Sequence, residues 1–318
     1  MLERISKFGI LIVGFNRPDF ITERVKELQK LDLDDINIYV SLDFPRGNNS
    51  SDSISHVEIL KRLKTFRDNL DFHLFIEEMN QGCDKHIPSA ISRVLLDCVG
   101  VLVIEDDILI HHEQIKAIIE LAKENFREMR IDPIVSMSGI SSNNLMKFNK
   151  WRITPYFTAW GYFLFKDFWN THEQLSKLEE KVIQDLLNES VYWRQMSERK
   201  KVLWSERFSR GNYDYRIQRT IFALDLKVFA PVFRMANNLG FGNTGAAHTK
   251  FSAPYYLRQT IESSSKTFNP TRITNFLVNK ALIWLDSNTW AGDGWLSVRG
   301  RPVGCRTLLR KIISVIRK

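Results

Sequence analysis

Residues Val101–Ile110, VLVIEDDILI, decide the fold. Apolar residues run straight into Glu105, Asp106 and Asp107 and resume at once at Ile108. Adjacent carboxylates repel one another and are costly to desolvate. Their apolar flanks therefore place them at the end of a buried strand and not on a solvated charged face. That edge of an open α/β sheet is where ligands bind. Hard oxygen donors there suit Mg2+ or Mn2+ carrying a diphosphate. An acidic strand-end turn with no ligand is the plainer alternative.

Upstream, Gly9–Phe15 is an apolar run closed by Asn16-Arg17-Pro18-Asp19, a turn and helix start with Asp19 as candidate N-cap. Phe20, Val25, Leu28 and Leu31 share one helical face. Ile36–Leu42 reads as a second buried strand ending at Asp43-Phe44-Pro45. Gly47–Ser53 reads as a polar loop, Val57–Leu70 as a helix, Asp71–Ile76 as a third strand, Asn80-Gln81-Gly82 as a turn, and Ile87–Leu96 as a helix leading into the acidic strand. The order is strand, helix, strand, helix, strand, helix, strand, the pattern of a mostly parallel, Rossmann-like α/β sheet flanked by helices. Asn16-Arg17, Asp43 and Glu105–Asp107 then share one sheet edge and line one crevice. No glycine-rich phosphate loop of either standard spacing is present, which disfavours dinucleotide oxidoreductases and P-loop enzymes.

Downstream, Ile115–Arg130 is an amphipathic helix, and Ile134–Ile140 is a strand followed by the polar loop Ser141–Asn144. Arg152–Phe165 is dense in aromatics around Gly161. Lys177–Tyr192 is helical, Trp204–Arg219 mixes aromatic and charged residues, and Val228–Phe233 is a strand. The Gly- and Asn-rich stretch Ala236–Thr249 reads as a loop. The character changes after Tyr256, which divides the chain into a catalytic-type domain over residues 1–255 and a C-terminal helical extension over 256–318. The extension ends in RTLLRKIISVIRK, Arg306–Lys318, where apolar residues share a face edged by basic ones. That is the pattern of a helix on an anionic membrane surface, or of a terminal helix packed on the domain.

Composition narrows the class. At 318 residues, 44% hydrophobic and 26% charged, the chain is globular and large enough for one sizeable α/β domain. The net charge of +8 admits an anionic partner. No nucleic-acid motif accompanies that charge, and the crevice is acidic, so no nucleic acid is expected. Three cysteines without a short-range pair argue against a disulfide framework or zinc knuckle. Phe8–Gly14 is too short and lacks the flanks for a signal peptide, and no window reaches the length of a spanning helix.

These segments, in order, resemble the GT-A glycosyltransferases, chiefly the N-acetylglucosaminyltransferase I family and bacterial surface-polysaccharide glycosyltransferases. The matching pieces are Phe15-Asn16-Arg17-Pro18, Val40-Ser41-Leu42-Asp43, Asn80-Gln81-Gly82, Glu105-Asp106-Asp107, Met137–Asn144, Thr154–Leu164 and Tyr213-Asp214-Tyr215, over about residues 8–245. The resemblance implies a nucleotide-sugar donor, uridine-linked by expectation, and a glycan or lipid-linked glycan acceptor. It also implies a Mn2+ or Mg2+ cofactor and work at the inner, cytoplasmic face of a bacterial membrane. It assigns Asp107 to the metal, Asp106 and Glu105 to the donor ribose and sugar, Asp43 to the uracil and Arg17 to the nucleotide. Phe15, Asn16 and Gly82 fall in donor-binding pieces, and Ser89 falls where the family has a nucleotide-contacting histidine. Asp214 matches the catalytic base of an Asp-Asp-Trp motif that here reads Tyr213-Asp214-Tyr215.

The residues carry a coherent chemistry on their own. A metal on Asp107 stabilises a leaving diphosphate, and Asp214 deprotonates an acceptor hydroxyl that attacks with inversion. Asp214 is otherwise a helix cap or a partner of Arg216 or Arg219. Tyr156, Trp160, Gly161 and Tyr213 are candidate acceptor contacts, although residues like Tyr156 and Trp160 are more often core aromatics than sugar platforms. His248 is a candidate second metal ligand or diphosphate contact from a closing loop. His111 and His112 read as loop or helix-start residues. A nucleotidyltransferase on a similar sheet, or a non-catalytic sugar or nucleotide binder, are the competing functions.

Overall fold

The structure is a computed structural model that describes residues 7–31, 35–129, 132–136, 151–231, 235–240 and 283. Its first half alternates β1 (Phe8–Gly14), α1 (Pro18–Leu28), β2 (Ile36–Leu42), α2 (Ser50–Phe66), β3 (His73–Ile76), α3 (Cys83–Val94) and β4 (Gly100–Glu105). The near-continuous apolar runs of β1 and β4 make central strands. β1 is buried along its whole length and β4 up to Glu105. β5 (Ile108–Ile110), α4 (His112–Arg127), β6 (Ile134–Val135), β7 (Trp151–Thr154), β8 (Tyr162–Phe165) and α5 (Lys166–Leu175) follow. Then come α6 (Glu180–Glu189), α7 (Val191–Arg194), α8 (Glu198–Ser209), α9 (Tyr213–Ala223), β9 (Val228–Pro231) and β10 (Ala236–Asn238).

Among the described residues the main sheet runs β3-β2-β1-β4-β8-β6-β9-β7, and β5 pairs with β10 apart from it. β1, β2, β3 and β4 are mutually parallel, whereas β8 runs antiparallel to β4 and β6. The chain steps outward from β1 to β3 and returns to the other side of β1 for β4. This reversal opens a crevice at the carboxyl ends of β1 and β4. The Asp106 N–H bonds to the Val13 carbonyl at 2.9 Å, so the acidic turn is tied to β1.

Several boundaries differ from the sequence expectation. α2 begins at Ser50, inside the expected polar loop, because the Asn49 side chain accepts the Asp52 N–H and caps the helix. Asp19 is not an N-cap. Arg17 holds that place, Pro18 follows with φ already suited to a helix, and the Asp19 carboxylate pairs with Arg62 at 2.6 Å. α3 starts at Cys83, ahead of Ile87, with Gly82 at φ +70° as its cap. His111 caps α4 and His112 opens it, so they are helix-start residues. Ala236–Asn238 is a strand and not loop, held by antiparallel pairing with β5.

Cys83 and Cys98 are free thiols. No helix among the described residues is long and apolar enough to cross a membrane. Ser141–Asn144, His248, the expected boundary at 255 and the basic tail lie outside the described residues.

The junction of β4 with β8 is tightly packed. A Cβ at Gly100 would lie 2.4 Å from the Phe163 ring, which is itself fully buried against Phe8 and Phe165. Gly100→Ala should therefore lower unfolding free energy by about 1–3 kcal/mol, read as a reduced midpoint in urea denaturation.

Candidate active site

A cavity of about 720 Å³ opens at the carboxyl ends of β1, β2 and β4. Phe15, Arg17, Asp43, Gly82, Glu105, Asp106, Asp107, Trp160, Tyr213 and Asp214 all line it. Segments separated by up to two hundred residues of chain thus meet at one place, through the strand-end geometry of a parallel sheet.

The acidic turn is neutralised from within. Arg17 Nε donates to Asp106 Oδ2 at 3.2 Å, Nη2 donates to Asp106 Oδ1, and Nη1 donates to Asp107 Oδ2 at 2.9 Å. Burial works against the guanidinium charge, but the two carboxylates outweigh it and hold Arg17 charged. Burial pushes Asp106 up to about 6 against the pull of Arg17. Glu105 is pushed up to about 8 by burial, with Asp107 adding to the rise, while the Tyr213 hydroxyl donates to Glu105 Oε1 at 2.6 Å. At neutral pH Glu105 therefore keeps its proton, and the turn carries less negative charge than its sequence implies.

A second brace places the helix that carries Asp214. Pro88 has no N–H for the Asp84 carbonyl four residues before it. Arg216 Nη2 of α9 donates to that carbonyl at 2.8 Å, and the Asp84 side chain accepts the Tyr213 N–H at 2.9 Å. α9 is thereby docked on α3 with its first turn at the cavity. Asp214 sits in that first turn and accepts the Tyr215 N–H at 2.9 Å, so it is not the cap, a place taken by Asn212.

The Asp43 carboxylate accepts the N–H groups of Phe44 at 2.9 Å, Gln81 at 2.9 Å and Gly82 at 2.8 Å, and the Asn80 amide at 3.2 Å. Four donors exhaust the acceptor sites of a carboxylate. Asp43 therefore staples the 80–82 turn to the end of β2 while it lines the cavity. Asn16 is turned away from the cavity, donating to Asp52 Oδ1 at 2.8 Å.

Tyr156 is buried against Trp204 and Phe222 in a second apolar cluster and does not reach the cavity. Gly161 faces inward too. A Cβ there would lie 2.1 Å from Ile110 Cδ1, so its positive φ serves packing and not the approach of a ligand. Of the expected acceptor contacts, Trp160 and Tyr213 line the cavity.

Several lining residues carry no signal in the sequence reading: Arg46, Asp84, His86, Arg210 and Asn238. Gly240 is another. The pairing of β10 with β5 carries the chain back over the acidic turn, where the Leu239 N–H bonds to the Asp107 carbonyl at 2.8 Å. A Cβ at Gly240 would lie 2.3 Å from Asp107 Oδ2.

Among the described residues no three His, Cys, Asp or Glu side chains converge as metal ligands. A divalent cation bound mainly by ligand phosphates and water needs only one or two carboxylates. Asp107 fits that need. It lines the cavity, is partly exposed, and has only Oδ2 engaged by Arg17 among the described residues.

No protein-family model matches the chain, and no curated protein matches it in sequence. Solved structures do match in shape. The S. aureus TarS 1–349 structure is 15% identical with a TM-score of 0.44, over 72% of this chain and 59% of that one. TarS 1–349 in complex with UDP-GlcNAc is 16% identical with a TM-score of 0.36, over 52% and 47%. A mannosyltransferase, PcManGT from Pyrobaculum calidifontis, in complex with GDP-Man and Mn2+, is 9% identical with a TM-score of 0.40, over 69% and 72%. This chain spans 30% of the length of a longer TarS chain that it also matches. At such scores no residue's role passes from them to this chain.

The raised Glu105 gives a pH test in metal-free buffer. Between its ordinary 4.5 and about 8 the folded protein holds a proton that the unfolded chain has lost. Stability therefore falls as pH rises through that window. Glu105→Gln keeps an oxygen for Tyr213 and removes the titration. It should flatten the decline and raise Tm at pH 9 by roughly 3 °C or more relative to wild type, measured by scanning calorimetry at pH 6 and pH 9.

Proposed function

We propose that this chain is a metal-dependent, inverting glycosyltransferase of the GT-A type. It transfers a sugar from a nucleoside-diphosphate donor, UDP-linked by preference, to a hydroxyl of a glycan acceptor. The observation that carries the reading is the single cavity in which Arg17, the Glu105–Asp107 turn and Asp214 meet at the strand ends. The sequence resemblance points the same way.

In this reading Asp107 is the residue that would hold a divalent cation. The bound cation supplies Lewis-acid stabilisation of the leaving diphosphate. Arg17, already charged and braced by Asp106, keeps the acid pair oriented and adds positive charge beside the phosphates. Glu105, fixed by the Tyr213 hydroxyl and lining the cavity, offers its carboxyl group to sugar hydroxyls. Asp214 takes the proton from the acceptor hydroxyl. The acceptor oxygen forms its bond to the anomeric carbon while the bond from that carbon to the diphosphate oxygen breaks and the electron pair leaves with the diphosphate. One displacement inverts the configuration. Trp160 and Tyr213 flank the acceptor side.

UDP with Mn2+ should raise the Tm of the wild-type protein, and Asp107→Asn should remove the metal-dependent part of that shift. Asp214→Asn should leave UDP binding within about twofold while cutting transfer or donor hydrolysis by about a hundredfold or more. Failure of every nucleoside diphosphate to shift the wild-type Tm in the presence of Mn2+ would overturn the proposal. The pattern of the tail supports a lipid-linked acceptor of the bacterial surface-polysaccharide kind at the cytoplasmic membrane face. Deletion of Arg306–Lys318 should then abolish co-sedimentation with anionic vesicles, and unchanged sedimentation would remove that part of the reading.

A further inference from the structure

We propose that Arg46 selects the donor's nucleobase, favouring one that presents a carbonyl oxygen to it, uracil or guanine, over its amino-bearing counterpart, cytosine or adenine. The inference rests on the nucleoside-diphosphate reading of the cavity and adds a residue that neither the sequence motifs nor the acidic turn brings in.

The cavity has two unlike ends. Glu105, Asp106, Asp107 and Asp214 crowd the end formed by β4 and α9. Phe15, Arg46, Asn80 and Gly82 form the other, beyond β1, β2 and β3. A diphosphate bound beside Arg17 and Asp107 would leave the sugar toward the acidic end and the base toward Phe15 and Arg46. The acidic end suits a sugar, with its many hydroxyl donors. The flat, cationic and aromatic end suits a base.

The base end holds few groups free to read a base. Asp43 has spent its acceptor sites on the 80–82 turn. The Asn80 amide donates to Asp43 Oδ2 at 3.2 Å and to the Phe44 carbonyl at 2.6 Å, which uses both its protons. Arg46 is different. Its Nε and Nη2 are held at 2.5 and 2.9 Å by Asp52, whose side chain is only 1% exposed and also accepts from Asn16. The guanidinium carbon lies 5.3 Å from the centre of the Phe15 ring. Nη1 has no hydrogen-bond partner among the described residues. The fork therefore has its Nε–Nη2 edge clamped by Asp52, on a residue that lines the cavity.

A guanidinium can only donate. A carbonyl oxygen meeting Nη1 gains a charge-assisted hydrogen bond, whereas an amino group there leaves donor facing donor. Because Asp52 holds the fork before the ligand arrives, little side-chain entropy is lost on contact. The discrimination expected from one such contact is about tenfold or more.

The test is titration calorimetry with UDP, CDP, GDP and ADP in the presence of Mn2+. Wild type, Arg46→Met, Arg46→Lys and the double variant Arg46→Met/Asp52→Asn are compared. The double variant avoids leaving a buried carboxylate unpaired, and Arg46→Lys keeps a charge for Asp52 while losing the fork. Wild type should bind UDP about tenfold tighter than CDP, or GDP about tenfold tighter than ADP. In the variants that ratio should fall to within about twofold, through weaker binding of the carbonyl-bearing base alone. A wild-type ratio near one, a ratio unchanged by the variants, or equal weakening of all four ligands would overturn the role of Arg46 and leave the glycosyltransferase reading standing. No binding of any of the four to wild type would overturn both.

Discussion

The ion pair of Arg17 with Asp106 and Asp107 is the constraint on which the rest of the site depends. Consecutive acids can end a buried strand only if their charge is met nearby. Here it is met in three ways along three residues. Glu105 keeps its proton and takes a phenol hydrogen bond, Asp106 is clamped by a forked guanidinium, and Asp107 shares the same cation while staying in reach of the cavity. The cation comes from the first residue after the β1 turn, so the reversal of strand order between β1 and β4 brings acid and base together. Removing Arg17 would leave buried charge uncompensated, which costs more than the pair itself contributes.

Around that pair, the cavity is assembled from pieces that solve local backbone problems. Pro88 frees a carbonyl inside α3, and Arg216 answers it from α9. The preceding cap, Gly82, is held by Asp43 from the end of β2. β10 pairs with β5 and lays Gly240 close against the Asp107 carboxylate. Each contact is an unremarkable satisfaction of hydrogen bonds or space. Together they leave Asp214, Arg17 and Asp107 facing the same volume.

The alternation of the first half was legible because its strands are apolar runs of the right length separated by helical periods. The shared edge of Arg17, Asp43 and the acidic turn followed from the geometry of parallel sheets. Boundaries were less legible where a short polar run serves as a cap, as at Asn49 and Ser50, since loop and helix start use the same residues there. The β10 strand was hidden inside a Gly- and Asn-rich stretch because its pairing partner lies more than a hundred residues away. Tyr156 and Gly161 were drawn toward a ligand by residue type, and packing claimed both.

What the sequence alone determined is the class of sheet, the order of its strands and helices through β4, and the set of polar strand ends that share an edge. These follow from periodicity and from carboxylates set among apolar residues, both of which are local. Tertiary structure decided how each polar group is used. Asp43 became a staple, Glu105 a protonated partner of a tyrosine from α9, and Arg46 a fixed fork over Phe15. The reason is physical: a side chain's charge state and free hydrogen-bonding capacity depend on burial and on partners distant in the chain, and no local pattern of residues carries that information.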